Sequence, residues 1–143
     1  MGKKFEITEE FIINNSGIKL YRIKALKDFS DVKNGDLGGY VQKESNLSQF
    51  GDAWVYGNAK VYDNAWVCGD AKVYGDARVY GDAKVYGNAW VHGNAQVYRN
   101  AWICGDAKVY GDAQVYGDAR VYGDAKVCGD ARVCGDARVY GDE

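Results

Sequence analysis

One imidazole, four thiols and a large set of tryptophans and tyrosines are the side chains of this 143-residue chain that could do chemistry or recognition. His92 is the one candidate general base, because an imidazole exchanges protons near neutral pH at little cost. It stands, however, where neighbouring segments carry Tyr74 and Tyr110, and a lone His on a repeat face is more often a neutral exchange of one ring for another. The thiols are Cys68, Cys104, Cys128 and Cys134. No Cys-x-x-Cys and no histidine pair accompanies them, so a metal site is not expected, and no cofactor is. The glycines recur as bends at a fixed interval, which removes the weight of any apparent phosphate-loop motif among them.

What must position these groups is a repeat. From Val55 to Asp142 the chain reads Val-Tyr-Gly-Asp-Ala-Lys with few departures and no insertion. The first position is Val except at Ile103, the third Gly except at Asp63 and Arg99, the fourth only Asp or Asn. The fifth is Ala from Ala59 to Ala137. In Ala59-Lys60-Val61-Tyr62 side chains alternate, so Ala59 and Val61 face one way and Lys60 and Tyr62 the other. The Gly-Asp or Gly-Asn pair then tolerates a sharp bend. Spacing of six is too short for hairpins or a sandwich, which need turns every 8–12 residues or so. The expected fold is all-β: a left-handed parallel β-helix of about five to six triangular coils, about 18 residues each, with a small N-terminal β cap.

An aliphatic residue followed four positions later by a small one, as in Val55/Ala59 and each later pair, resembles the hexapeptide-repeat proteins. The opening segment Leu20-Tyr21-Arg22-Ile23-Lys24-Ala25-Leu26 and the later Gly35-Asp36-Leu37-Gly38-Gly39-Tyr40-Val41 look like the leader of prophage-type members, often described as acyltransferases. That resemblance implies a phage or bacterial setting and, for an acyltransferase, a histidine base in a pocket shaped by loops or a second subunit. No loop interrupts the repeats around His92.

The expected boundaries are a cap over 1–36, a degenerate first coil over 37–54 built on Val41, Ser45 and Leu47, and the regular coils over 55–143. Phe5 to Ile13 and Ile18 to Leu26 flank Asn14-Asn15-Ser16-Gly17, a turn signature. Eight residues separate Leu47 from Val55, so the phase slips once there.

Winding three hexads per coil sorts the outward residues onto three faces. The second carries Tyr62, Tyr80, Tyr98 and Tyr116, read as a self-stacking ladder with a binding surface as the alternative. The first and third carry Trp54 with Trp90 and Trp66 with Trp102, spaced two coils apart. Four tryptophans on one side of a rod point to partner contact, with packing against the cap as the alternative. The corner between them is expected to hold Gly57, Asp63, Gly75, Gly93 and Arg99. Asp70, Asn88, Asp106 and Asp124 should share a corner, compensated by nearby Lys and Arg. Cys68 and Cys104 fall about 9.6 Å apart on this spacing, outside disulfide reach.

The formal charge of −2 exerts no global pull on nucleic acid or anionic lipid. Residues 55–143 hold ten Lys and Arg against twelve Asp and Glu, so nucleic-acid binding is a minor alternative. No apolar run reaches the roughly 20 residues that span a bilayer. The N-terminus lacks the pattern of a signal peptide, and free thiols fit a cytoplasm, that of a bacterial host for a phage-encoded chain. The repeat runs to the last residues, so either charges such as Arg132, Arg138 and Asp136 keep that edge soluble, or two chains pair there, with Arg132, Arg138 and Tyr140 as the expected contacts of a homo-oligomer through the last coil. The resulting expectation is a non-catalytic rigid protein-binding module, in its sharpest form a phage-encoded inhibitor of a host factor. The alternatives are an acyltransferase working through His92 at a trimer interface and a self-assembling structural rod.

Overall fold

The computed structural model describes residues 3–141. Asp142 and Glu143, the end of the expected repeat, lie outside the described residues. The chain opens with β1 (Phe5–Ile13) and β2 (Lys19–Ala25), paired antiparallel around the Asn14–Gly17 turn. Asn14 closes that turn by accepting at Oδ1 from the amides of Ser16 and Ile18. β3 (Leu37–Val41) adds antiparallel to β2 and also pairs parallel with the first regular coil, Tyr40 opposite Lys60 and Val41 opposite Val61. The cap and the coils therefore share one continuous sheet.

Fifteen short strands follow among the described residues, from Trp54–Val55 to Arg138–Gly141. They stack into three parallel sheets in which each residue faces its counterpart eighteen positions on, Val61 beside Val79 and Val79 beside Val97. This is the all-β parallel solenoid, of about six turns, that the repeat implies. Each hexad makes the same bonds. Lys60 donates to the Ala77 carbonyl at 3.0 Å, Tyr62 to Val79 at 3.0 Å and Asn64 to Gly81 at 2.9 Å. Within the hexad the Ala65 amide closes the bend on the Tyr62 carbonyl at 3.2 Å. Strands two residues long persist because the interior rungs are bonded on both sides and because their Val and Ala are withdrawn from water. From Val55 to Val121 every first-position Val or Ile is fully buried, and the fifth-position Ala is essentially so. Burying a Val completely contributes about 1.5–3 kcal/mol.

Glycine at the bend is required by proximity as well as by its left-handed φ. At Gly81 (φ 68°) an added Cβ would stand 2.7 Å from the Arg99 backbone nitrogen in the next coil. In the cap, Gly39 allows β3 to close onto the coils, since a Cβ there would meet the Ala59 carbonyl oxygen at 2.6 Å.

The first turn departs from expectation at Ser45. Leu47 does fill the interior and bridges Val67, but Ser45 is exposed and lies in a 3-10 turn, Glu44–Asn46. Asn46 is the residue buried there. Its amide accepts from the Gln42 and Lys43 amides and donates to the Asp63 and Ala65 carbonyls, so the buried polar group is fully paired. No helix of the described residues is long and apolar enough to cross a membrane.

Candidate functional site

The outward positions form columns, and the columns show what each candidate residue is doing. On the second face Tyr62, Tyr80, Tyr98 and Tyr116 are half-buried and stack with centroids 4.9–5.0 Å apart and planes within 5° of parallel. Tyr80 and Tyr98 donate from their hydroxyls to Gln96 and Gln114. The ring faces are thus covered by one another, and edges and hydroxyls are what this face presents. Burial pushes the ionisation of Tyr62 up to about 12 and that of Tyr80 upward as well.

On the first face His92 lies between Tyr74, at 4.5 Å and 5°, and Tyr110, at 5.0 Å and 0°. Desolvation in that stack, and then the charge of Lys108, lower its pKa. Neutral imidazole is a competent base through the nitrogens at its edge, which the stack leaves uncovered, but the recesses along the shaft are walled by other residues.

The four tryptophans are not equivalent. Trp54 is a correction to the expected surface: it is 1% exposed. Phe5 and Phe29 of the cap meet its ring edge-on at 6.2 and 5.3 Å, so it joins cap to coils. Trp90 has Lys72 and Lys108 over its ring at 6.0 and 4.9 Å, and Trp102 has Lys84 and Arg120 at 5.8 and 4.5 Å. A cation on the face of an indole is favourable by about 0.5–1 kcal/mol when exposed. The two-coil recurrence of tryptophan thereby separates lysines that would otherwise stack on lysines. Trp66, 42% exposed, has no ring or cation over it among the described residues. Its neighbour on the cap side is the Glu44–Leu47 turn, through the Leu47–Val67 bridge, where a regular coil would carry a Lys.

The corner the tryptophan faces share is that of Gly69-Asp70 and Gly87-Asn88; Gly57, Asp63, Gly75, Gly93 and Arg99 lie at the other two, because the chain passes from the first face to the second and then the third. Compensation of the corner carboxylates by Lys and Arg is also corrected. The two ion pairs among the described residues, Lys3–Glu44 and Arg22–Glu10, are in the cap region. In the corners Asn88, Asn94 and Asn100 each donate at 3.2 Å to the Asp eighteen residues on: Asp106, Asp112 and Asp118.

Cys68 and Cys104 are half-buried, Cys128 and Cys134 exposed, and all four are free thiols. No cluster of three metal-ligating side chains occurs among the described residues. At the far end Arg132, Arg138 and Tyr140 are exposed, Tyr140 by 64%.

The site that sequence reasoning missed lies at the phase slip. Phe50, 84% exposed, and Trp66 border an open recess of about 690 Å³ between the 3-10 turn and the third face. Lys43, Glu44, Ser48, Gln49 and Lys84 are also in its wall. The eight-residue interval between Leu47 and Val55 signalled an irregularity there but not which side chain it would project.

The repeat model described as "YdcK Beta solenoid repeat" matches residues 53–69, 71–85, 113–129 and 131–142. The unmatched interval between 85 and 113 contains Trp90, His92, Arg99 and Trp102. Over 61 residues, 38% of this chain, the sequence is 36% identical to the protein of Escherichia coli (strain K12) named "Uncharacterized acetyltransferase YdcK". The match spans 19% of that relative's length, so the likeness is to a short stretch of it. Periodicity, parallel sheets and both similarities agree on one fold for this chain, a β-solenoid of six-residue repeats.

Proposed function

We propose that the chain is a rigid, non-catalytic protein-binding module. The observation that carries this reading is the state of His92, the sole imidazole, locked ring on ring between Tyr74 and Tyr110 on a face with no loop around it. A general base must reach the proton it removes within about 2.6–3.2 Å in some substrate pose; the nitrogens at the edge of this ring face solvent, but no projecting loop among the described residues stands beside them to hold a substrate in that pose. The shaft itself is bonded through every rung, so its surface side chains are held in fixed register, which lowers the ordering cost of binding. Inhibition of a host factor by a phage-encoded chain is one form of this reading, and it adds the requirement that the partner lose its activity on binding.

The second reading is acyl transfer, favoured by the name of the Escherichia coli relative. It requires a pocket completed by another subunit next to His92. Titration calorimetry with acetyl-CoA separates the two. The binding-module reading expects no heat and no His92-dependent turnover with acetyl-CoA and an amine acceptor. Saturable heat together with turnover lost in His92→Ala would overturn it.

A further inference from the structure

The geometry points to the recess between Phe50 and Trp66 as a docking site for an acidic segment of a partner protein that carries one bulky apolar side chain. This inference rests on the protein-binding reading and gives it a place and a partner chemistry.

Elimination among the aromatic groups comes first. Trp54 is sealed beneath the cap, and Trp90 and Trp102 each hold a cation on both sides. The tyrosine rings of the second face cover one another. Trp66 is the indole with an uncovered ring among the described residues, and Phe50 stands beside the same recess.

Phe50 is exposed on a segment that is fastened on both sides. Before it, the Gln49 side chain accepts from the Lys4 and Phe5 amides at 2.7 and 3.1 Å and donates to the Phe5 carbonyl and to Glu44. After it, the buried Lys4 ammonium donates to the Gly51 and Ala53 carbonyls at 3.3 and 2.6 Å. Lys4 also lies over the Phe29 ring. An apolar side chain this exposed on a freely moving loop would fold back onto apolar surface. Held out by its neighbours, it is preorganised, and aromatic anchors in a fixed setting dominate interface energies.

Charge selects the partner. Three ionisable groups face the recess: Lys43, Glu44 and Lys84. Glu44 is already paired with Lys3 at 3.2 Å and bonded to Gln49, whereas among the described residues the Lys43 ammonium donates to a neutral group, the Asn64 amide oxygen, at 2.9 Å. Lys84 makes no ion pair among the described residues. Two cations around an apolar floor fit carboxylates on either side of an apolar anchor, and like charges would repel a basic segment.

The test uses the intact chain, labelled with 15N at its four tryptophan indoles, and two probes, Ac-Asp-Glu-Phe-Glu-Asp-NH2 and its counterpart Ac-Lys-Lys-Phe-Lys-Lys-NH2. Trp66→Phe assigns the Trp66 signal by its disappearance. The acidic peptide should shift the Trp66 indole saturably while Trp90 and Trp102 stay still, and the basic peptide should shift none. Phe50→Ser, at an exposed position, and Lys84→Gln, which leaves Arg120 over the Trp102 ring, should each weaken the titration about tenfold or more. No shift, equal shifts with both peptides, or shifts centred on Trp90 or Trp102 would overturn the site. Those outcomes leave the protein-binding reading to be decided separately by the acetyl-CoA calorimetry.

Discussion

Asn94 and Asp112 occupy the same corner one coil apart, with the Asn94 amide nitrogen donating to the Asp112 carboxylate at 3.2 Å. The same contact joins Asn88 to Asp106 and Asn100 to Asp118, so one coil supplies an amide to all three corner columns. Like charges stacked at the strand spacing repel by about 1 kcal/mol even in water. Asn94→Asp should replace a hydrogen bond by repulsion against both Asp76 and Asp112, lowering stability by about 1 kcal/mol. Thermal unfolding at two salt concentrations checks this: the deficit should shrink as salt screens the corner.

The ladder around His92 gives a pH dependence of known sign. Burial and Lys108 hold its pKa below the ordinary 6.5. Between the two values the unfolded chain binds the proton that the folded chain refuses. Stability is therefore complete above about pH 6.5 and declines as pH falls toward the folded value. His92→Tyr restores the residue that Tyr74 and Tyr110 represent in the column, and should flatten the dependence of the melting temperature between pH 5 and 7 without loss of fold. A slope that survives the substitution would assign the effect to another group.

Trp102 makes its alternation with Arg120 and Lys84 measurable. Arg120→Met keeps the aliphatic stem and removes the charge, so the expected loss is the cation–π share, about 0.5–1 kcal/mol. A double-mutant cycle with Trp102→Leu should show coupling of the same size. Additive losses would mean that the 4.5 Å approach of the guanidinium contributes nothing beyond packing.

Asp63 and Arg99 replace glycine at left-handed bends, with φ of 58° and 61°. The backbone cost is similar in both, about 1 kcal/mol, yet only one is offset. Asp63 accepts from the Gly81 amide at 3.1 Å across the coil boundary. Arg99 has no side-chain hydrogen bond or ion pair among the described residues. Arg99→Gly should raise stability by about 0.5 kcal/mol after the added freedom of glycine in the unfolded chain is deducted. Asp63→Gly should gain nothing or lose slightly, and denaturant midpoints of the two variants order them directly.

These cases show what the sequence could and could not convey. Val and Ala at fixed intervals specify the interior because their burial depends on neighbours eighteen residues away that obey the same rule. The hairpin was legible for the same reason: Asn14 and Gly17 act on adjacent residues. Trp54 and Trp90 stand in the same register of the same column, and what separates a core residue from a surface one is Phe5 and Phe29, distant in sequence and outside the repeat. Ser45 and Asn46 illustrate the same difficulty one residue apart, since only the carbonyls of Asp63 and Ala65 make burying the amide favourable. Phe50 was hidden for the opposite reason, as its exposure depends on Lys4 and Gln49 restraining the backbone on either side.

Lys4 also makes the junction of cap and coils sensitive to alkaline pH. Burial, opposed by Asp52 and reinforced by Lys27, draws its pKa from 10.5 down to about 8. Below pH 8 the ammonium is charged in both folded and unfolded chains, and the full cost of burying it is present. Between pH 8 and 10.5 the folded chain gives up the proton first, so stability should rise with pH. From about pH 9 upward the tyrosines reverse the trend. Tyr56, Tyr62, Tyr80 and Tyr86 all ionise later in the fold than in the unfolded chain, so deprotonation favours unfolding. Hydrogen exchange cannot isolate this effect, because its intrinsic rate varies with pH, but denaturant unfolding followed at Trp54 can. The wild-type chain should reach its greatest stability near pH 9, and Lys4→Met should lose the rise above pH 8 while keeping the fall at higher pH. A rise of equal size in the variant would show that another group carries the proton.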